Sequence, residues 1–101
     1  VFPCGTILLV KNINLTGQLI CQSDEEMAVV TELLPRHIEL ARAELGCISF
    51  EVNQTSDPRV WNVSESFQDA GSFELHQVRV KVSDWGYVTA GIKRNYSVSG
   101  L

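Results

Sequence analysis

The chain has 101 residues, 45% of them apolar and 20% charged, with a formal net charge of −4. These values describe one globular domain around a single core. Eight scattered basic residues against twelve acidic ones exclude the clustered positive field of a nucleic-acid binder.

Phe2 to Val10 is apolar but lacks a basic n-region and is too short to span a membrane, and no transmembrane segment follows. We read residues 1–12 as a leader segment and 13–101 as the folded domain. Ile13 to Cys21 alternates, with Ile13, Leu15, Gly17, Leu19 and Cys21 on one face, the pattern of a half-buried strand. Ser23 and Glu26 form a capping box that opens a helix. Met27, Val30, Leu34, Ile38, Ala41 and Leu45 mark its apolar stripe up to Gly46, and Pro35 is expected to kink or split it.

Cys47 to Asn53 reads as a second strand with Ile48, Phe50 and Val52 inward. Turn chemistry at Thr55-Ser56-Asp57-Pro58 leads into a third, Val60 to Phe67, with Trp61, Val63, Glu65 and Phe67 inward. Asp69 caps a second helix that carries Phe73, His76 and Val80 and ends near Val82. Ser83 caps a short helical stretch up to Ala90, and Gly91 stops it. Ile92 to Val98 is the fourth strand, with Ile92, Arg94, Tyr96 and Val98 on one face.

The order β-α-β-β-α-β predicts an α+β, ferredoxin-like fold: a four-stranded antiparallel sheet, strand order 4-1-3-2, with both helices on one side. The other side would carry Asn14, Thr16, Gln18, Asn62, Ser64, Lys93, Asn95 and Ser97. Small uncharged polar groups dominate that set and suit a wet subunit interface, so two sheets are expected to meet face to face in a homodimer. Cys4, Cys21 and Cys47 form no C-x-x-C motif and no His stands at zinc-ligand spacing. We expect no metal site, and reduced thiols in a cytoplasmic protein. The sequons at Asn14, Asn53, Asn62 and Asn95 read as chance matches.

Charges on the inward face of a strand are costly unless paired or functional. Glu65 and Arg94 would flank the first strand about 10 Å apart, with Gly17 leaving room between them. They form either a structural ion pair or the polar floor of a ligand pocket. His76 is the candidate general base, with the satisfied core histidine as its plain alternative. His37 adjoins the stripe of the first helix. Trp61, Trp85 and Tyr96, with Phe73 beside His76, could wall a flat aromatic ligand. No P-loop, G-x-G-x-x-G or G-x-S-x-G motif occurs.

The run from His37 to Val52 (HIELARAELGCISFEV), with Glu65-Ser66-Phe67 and Ala70-Gly71-Ser72-Phe73-Glu74-Leu75-His76, resembles the antibiotic biosynthesis monooxygenase-like family, which includes quinol monooxygenases. The resemblance covers Ile13 to Val98. It implies a dimeric α+β barrel, and an oxygenase that uses no cofactor and acts on a small phenolic or quinol-type aromatic substrate with O₂. His76 matches the family's helix-2 His, Glu65 its strand-3 acid, and Arg94 and Tyr96 an Arg-x-Tyr pattern of one branch. Many members carry Ser-x-His-Phe after the second helix, where this chain has Ser83-Asp84-Trp85-Gly86. A non-catalytic dimer that binds a small ligand, and a haem-binding or haem-degrading protein, are the alternatives the family contains.

Overall fold

The structure, a computed structural model, describes residues 10–101. Most of the expected leader therefore lies outside the described residues. Seven elements follow in the order β1 (Ile13–Ile20), α1 (Asp24–Arg42), β2 (Cys47–Gln54), β3 (Val60–Phe67), α2 (Ala70–Lys81), α3 (Asp84–Val88) and β4 (Lys93–Ser99). The sheet is antiparallel throughout with order β2-β3-β1-β4, as expected. No helix among the described residues is long and apolar enough to cross a membrane.

The helix starts behave as their capping residues dictate. Ser23, Asp69 and Ser83 each adopt an extended backbone and accept from the N–H three residues on. Glu26 reaches back past the cap and accepts from the Gln22 N–H at 2.7 Å, a capping box shifted by one residue. Pro35 does not split α1, which runs for 19 residues with Pro35 on its exposed side.

Two inward assignments need correction. Leu45 is fully exposed, because α1 ends at Arg42 and Ala43 caps it, so the helical period no longer governs residue 45. Ile48 is 56% exposed because a bulge separates Cys47, opposite Phe67, from Ser49, opposite Ser66. The extra residue shifts the alternation, and Phe50 and Val52 return to the inward face.

The core lies between the sheet and the helices. Leu15 and Leu19 from β1, Phe50 from β2, Val63 and Phe67 from β3, and Val30, Leu34 and Ala41 from α1 are all buried there. The opposite sheet face bears no helix, and Asn14, Thr16, Gln18, Asn62, Ser64, Asn95 and Ser97 are all exposed on it.

Register decides what happens at Gly17. It faces Val63 on one side and Tyr96 on the other. A Cβ there would stand 2.0 Å from the Asn95 carbonyl oxygen. Glycine is therefore required by the close approach of β4, and Gly17 does not line the cavity described below.

Candidate active site

A cavity of about 420 Å³ lies between the inner sheet face and the helices. Leu15, Leu19, Phe50, Val52 and Val63 supply its apolar floor, and Trp85 and Val80 its apolar roof. Glu65, His76, His37, Arg94 and Tyr96 all reach it. The sequence-predicted pocket therefore exists, and it gathers six of the nine residues expected at it, with Trp85. Gly17, Trp61 and Phe73 do not line it. Trp61 is half-buried near the start of β3, opposite Gln54 and Leu19. Phe73 packs on Phe67 with ring centroids 5.5 Å apart.

Glu65 and Arg94 share a face but not a partner. Glu65 stands opposite Leu15 and Arg94 opposite Leu19. Two strand spacings combined with that four-residue offset put their backbones roughly 17 Å apart. Alternation gives the face correctly, whereas the separation along the strands depends on register. No carboxylate lies within salt-bridge distance of Arg94 among the described residues.

His76 is 3% exposed, on the inward face of α2, with its ring packed on Phe67 at 4.8 Å and Phe50 at 5.5 Å. Its Nδ1 lies 2.6 Å from Glu44 Oε1, and Arg79 Nε donates to Glu44 Oε2 at 2.6 Å. With Glu44 ionised, Nδ1 is the protonated nitrogen and Nε2 carries the lone pair. Nε2 faces Glu65 Oε1 at 3.5 Å, too far and too poorly aligned for a hydrogen bond, so that buried oxygen has no partner.

Burial pushes the Glu65 carboxyl up to about 7, with the Glu44 charge adding to the rise and Arg94 opposing it. Burial lowers His76 and Arg79 adds to that, against the bond and charge of Glu44. Near neutral pH the site thus holds a neutral imidazole and a carboxyl close to half-ionised. His37 stacks on Trp85 at 4.6 Å, 10° from parallel, and meets the edge of Phe50. Burial, followed by repulsion from His76, Arg79 and Arg94, brings His37 down to about 3. It is a neutral wall residue, and its Nδ1 is buried without a partner. Burial raises the Tyr96 phenol, and the charge of Arg94 beside it pulls it partly back.

Sequence reasoning missed Glu44 and Arg79, which hold His76, and Thr89, which holds Arg94. One signal was present for Glu44. A carboxylate just past the C-terminal end of a helix sits where the macrodipole disfavours it, and so calls for a cationic or donor partner. Among the described residues no cluster of His, Cys, Asp or Glu is arranged to hold a metal ion.

The fold is shared with several solved structures. The Mycobacterium tuberculosis protein Rv0793 is 15% identical, with a TM-score of 0.70, 90% of this chain and 95% of that one being covered. The Shewanella oneidensis protein SO0527 is 21% identical, with a TM-score of 0.65 and coverage of 88% and 87%. A Deinococcus radiodurans protein, described provisionally as an antibiotic biosynthesis monooxygenase, is 18% identical, with a TM-score of 0.69 and coverage of 88% and 91%. No curated protein matches the chain. The family model for antibiotic biosynthesis monooxygenases matches residues 20–85, which span α1 to the start of α3 and include His37, Glu44, Glu65 and His76. That match covers more than half of the sequence, and the chain belongs to the antibiotic biosynthesis monooxygenase family.

Proposed function

We propose that this chain is a monooxygenase that oxidises a small phenolic or quinol-type aromatic with O₂ and needs no cofactor. Family membership supports a monooxygenase-like activity in general terms. The observation that carries the specific reading is the His76 arrangement: a buried neutral imidazole, held through Nδ1 by Glu44, with its free Nε2 facing an apolar cavity.

The chemistry follows from those groups. Nε2 takes the hydroxyl proton of a bound quinol, and the Glu44 carboxylate stabilises the imidazolium that forms. The electron-rich anion then reduces O₂, and a ring carbon–oxygen bond forms. One oxygen atom stays on the ring as a carbonyl while the C–H bond at that carbon and the O–O bond break, and the other oxygen leaves as water, so the substrate supplies all four electrons. The departing oxygen takes one proton back from His76 and the second from that ring carbon, and no proton need leave the cavity. From the other end of the cavity Arg94 stabilises the negative charge that spreads through the ring, and Glu65 faces the same nitrogen as the substrate hydroxyl.

The bare sheet face supports a homodimer through sheet packing, since its exposed residues are mainly small uncharged amides and hydroxyls. A cytoplasmic location fits free thiols at Cys21 and Cys47.

Oxygen uptake with a panel of quinols tests the reading. We expect uptake above the autoxidation rate, falling at least about 100-fold in His76→Ala, as loss of a general base predicts. Uptake that never exceeds the uncatalysed rate, or that His76→Ala leaves unchanged, refutes it.

A further inference from the structure

Of the five arginines, Arg36, Arg42, Arg59 and Arg79 each pair with a carboxylate: Glu39, Glu51, Asp24 and Glu44 respectively. Arg94, the one that lines the cavity, has none among the described residues. Its Nη1 donates to the Thr89 carbonyl at 2.8 Å and to the Ile92 carbonyl at 3.0 Å, and its Nη2 donates to Thr89 Oγ1 at 2.8 Å. A guanidinium has five N–H donors. Three are used here, which leaves Nε–H and one Nη2–H, with the neutral Tyr96 phenol oxygen close enough to share one of them.

Those two remaining donors lie parallel on one edge of the guanidinium plane, the edge that grips a carboxylate with two bonds at once. The contacts that hold the group are neutral. They fix its orientation through Thr89, which is fully buried and itself bonded to the Trp85 carbonyl, but they leave its charge unbalanced. The rest of the lining is apolar apart from Glu65, the two histidines, the Tyr96 phenol, and Gln77 and Lys81, both largely solvent-exposed.

We infer that the cavity takes an aromatic acid, its carboxylate gripped by the free edge of Arg94 and its hydroxyl directed to the Glu65–His76 end. This inference deepens the proposed function by naming the anchoring group of the substrate. A carboxylate fits better than a phosphate, because two parallel donors match its two oxygens and leave no further oxygen without a donor.

The test is anaerobic isothermal titration calorimetry with 4-hydroxybenzoate, 4-hydroxybenzamide and 4-hydroxyphenyl phosphate. It is run near pH 6, below the Glu65 value of about 7, so that no second anion opposes the first. The acid should bind about tenfold to hundredfold more tightly than the amide, as expected for hydrogen bonds to a charged group. Arg94→Gln should bring that ratio close to one, because the acid loses far more than the amide does. Arg94→Lys, which keeps the charge but loses the fork, should recover only a small part of it. Circular dichroism melts establish that the variants are folded, and the acid-to-amide ratio of the unaltered protein stands even if they are not. Equal binding of acid and amide, binding of neither, a preference for the phosphate, or a ratio that survives Arg94→Gln overturns the proposal. The readout does not depend on turnover. A chain that binds the acid but never consumes oxygen keeps the anchor and loses the oxygenase, whereas one that oxidises neutral quinols and binds acid and amide alike does the reverse.

Discussion

At the His76 end of the cavity each ionisable group faces another: Arg79 bonds to Glu44, Glu44 to His76, and His76 looks across 3.5 Å to Glu65. At the Arg94 end a guanidinium meets only carbonyls and neutral hydroxyls. In the reaction we propose, the first end accepts and returns a proton beside a counter-charge already in place. The second carries a positive charge with no carboxylate partner among the described residues. On that reading one end serves proton chemistry and the other holds an anion, and β1 runs between them with Leu15 beside Glu65 and Leu19 beside Arg94.

Gly17 sits midway and offers the strongest way to separate the two ends. In Gly17→Ala the new Cβ meets the Asn95 carbonyl oxygen at 2.0 Å, a contact that only movement of β4 can relieve. We expect a loss of about 3 kcal/mol or more, read as a lower urea midpoint. Glu44, His76 and Glu65 lie outside β4 and outside its partner strand β1, whereas Arg94 is on the displaced strand. The variant should therefore lose its preference for the acid over the amide while keeping the His76 imidazole ¹⁵N signature of an Nδ1–H tautomer. Loss of both together would mean that the two ends are not independent.

Glu44→Gln probes the proton end alone and has a smaller effect. Glu44 acts on the reaction through His76 and is a positioning residue. Its bond and its charge both raise the His76 pKa, so removing the charge lowers that pKa further. A weaker base transfers protons more slowly, and the plateau rate of oxygen uptake should fall about tenfold. The acidic limb of the pH profile should move to lower pH, because protonation now disables the base only in stronger acid. Glu44→Asp should restore part of the rate. A variant slowed without any shift of the acidic limb would make the contact merely structural.

How much of this could be read from the sequence depended on whether the information was local. The inward faces of β1, β3 and β4 follow from alternation, which puts Glu65 and Arg94 on the cavity side, and His76 follows from the inward face of α2. The caps Ser23, Asp69 and Ser83 were equally visible, because a cap needs only the next three residues. Ile48 was misplaced because a bulge is a property of two paired strands, not of one. The supposed Glu65–Arg94 pair failed for a related reason, since register against β1 sets their separation. Glu44 and His76 are 32 residues apart, and their contact arises because the turn after α1 meets α2. Trp61 and Phe73 have the right parity or face but do not line the cavity, and periodicity gives a side chain's face without giving what it meets there.

The smallest effect is also the one that sets two buried groups directly against each other. The folded-state pKa of Glu65, about 7, lies above the ordinary carboxyl value of 4.5. The native chain therefore holds a proton that the unfolded chain has released, and this contribution to stability is lost as pH rises from about 4.5 to 7. His37 does the reverse. Its folded-state value of about 3 lies below the ordinary imidazole value of 6.5, so the unfolded chain binds the extra proton. Stability from His37 is lost as pH falls from about 6.5 towards 3. Over the shared window the two slopes oppose each other, and the unaltered protein should show a shallow dependence. Each slope is at most about 1.4 kcal/mol per pH unit, reduced by whatever water reaches the cavity. Urea titrations from about pH 4.5 to 6.5 should find Glu65→Gln growing more stable as pH rises, with His76, also lowered by burial, adding to the trend. His37→Phe, which keeps an aromatic ring on Trp85, should shift the slope towards a loss of stability with rising pH relative to the unaltered protein, since only His76 then opposes Glu65. If both variants follow the unaltered protein, the two groups are hydrated, and the cavity is not the dry space that the proton chemistry at His76 requires.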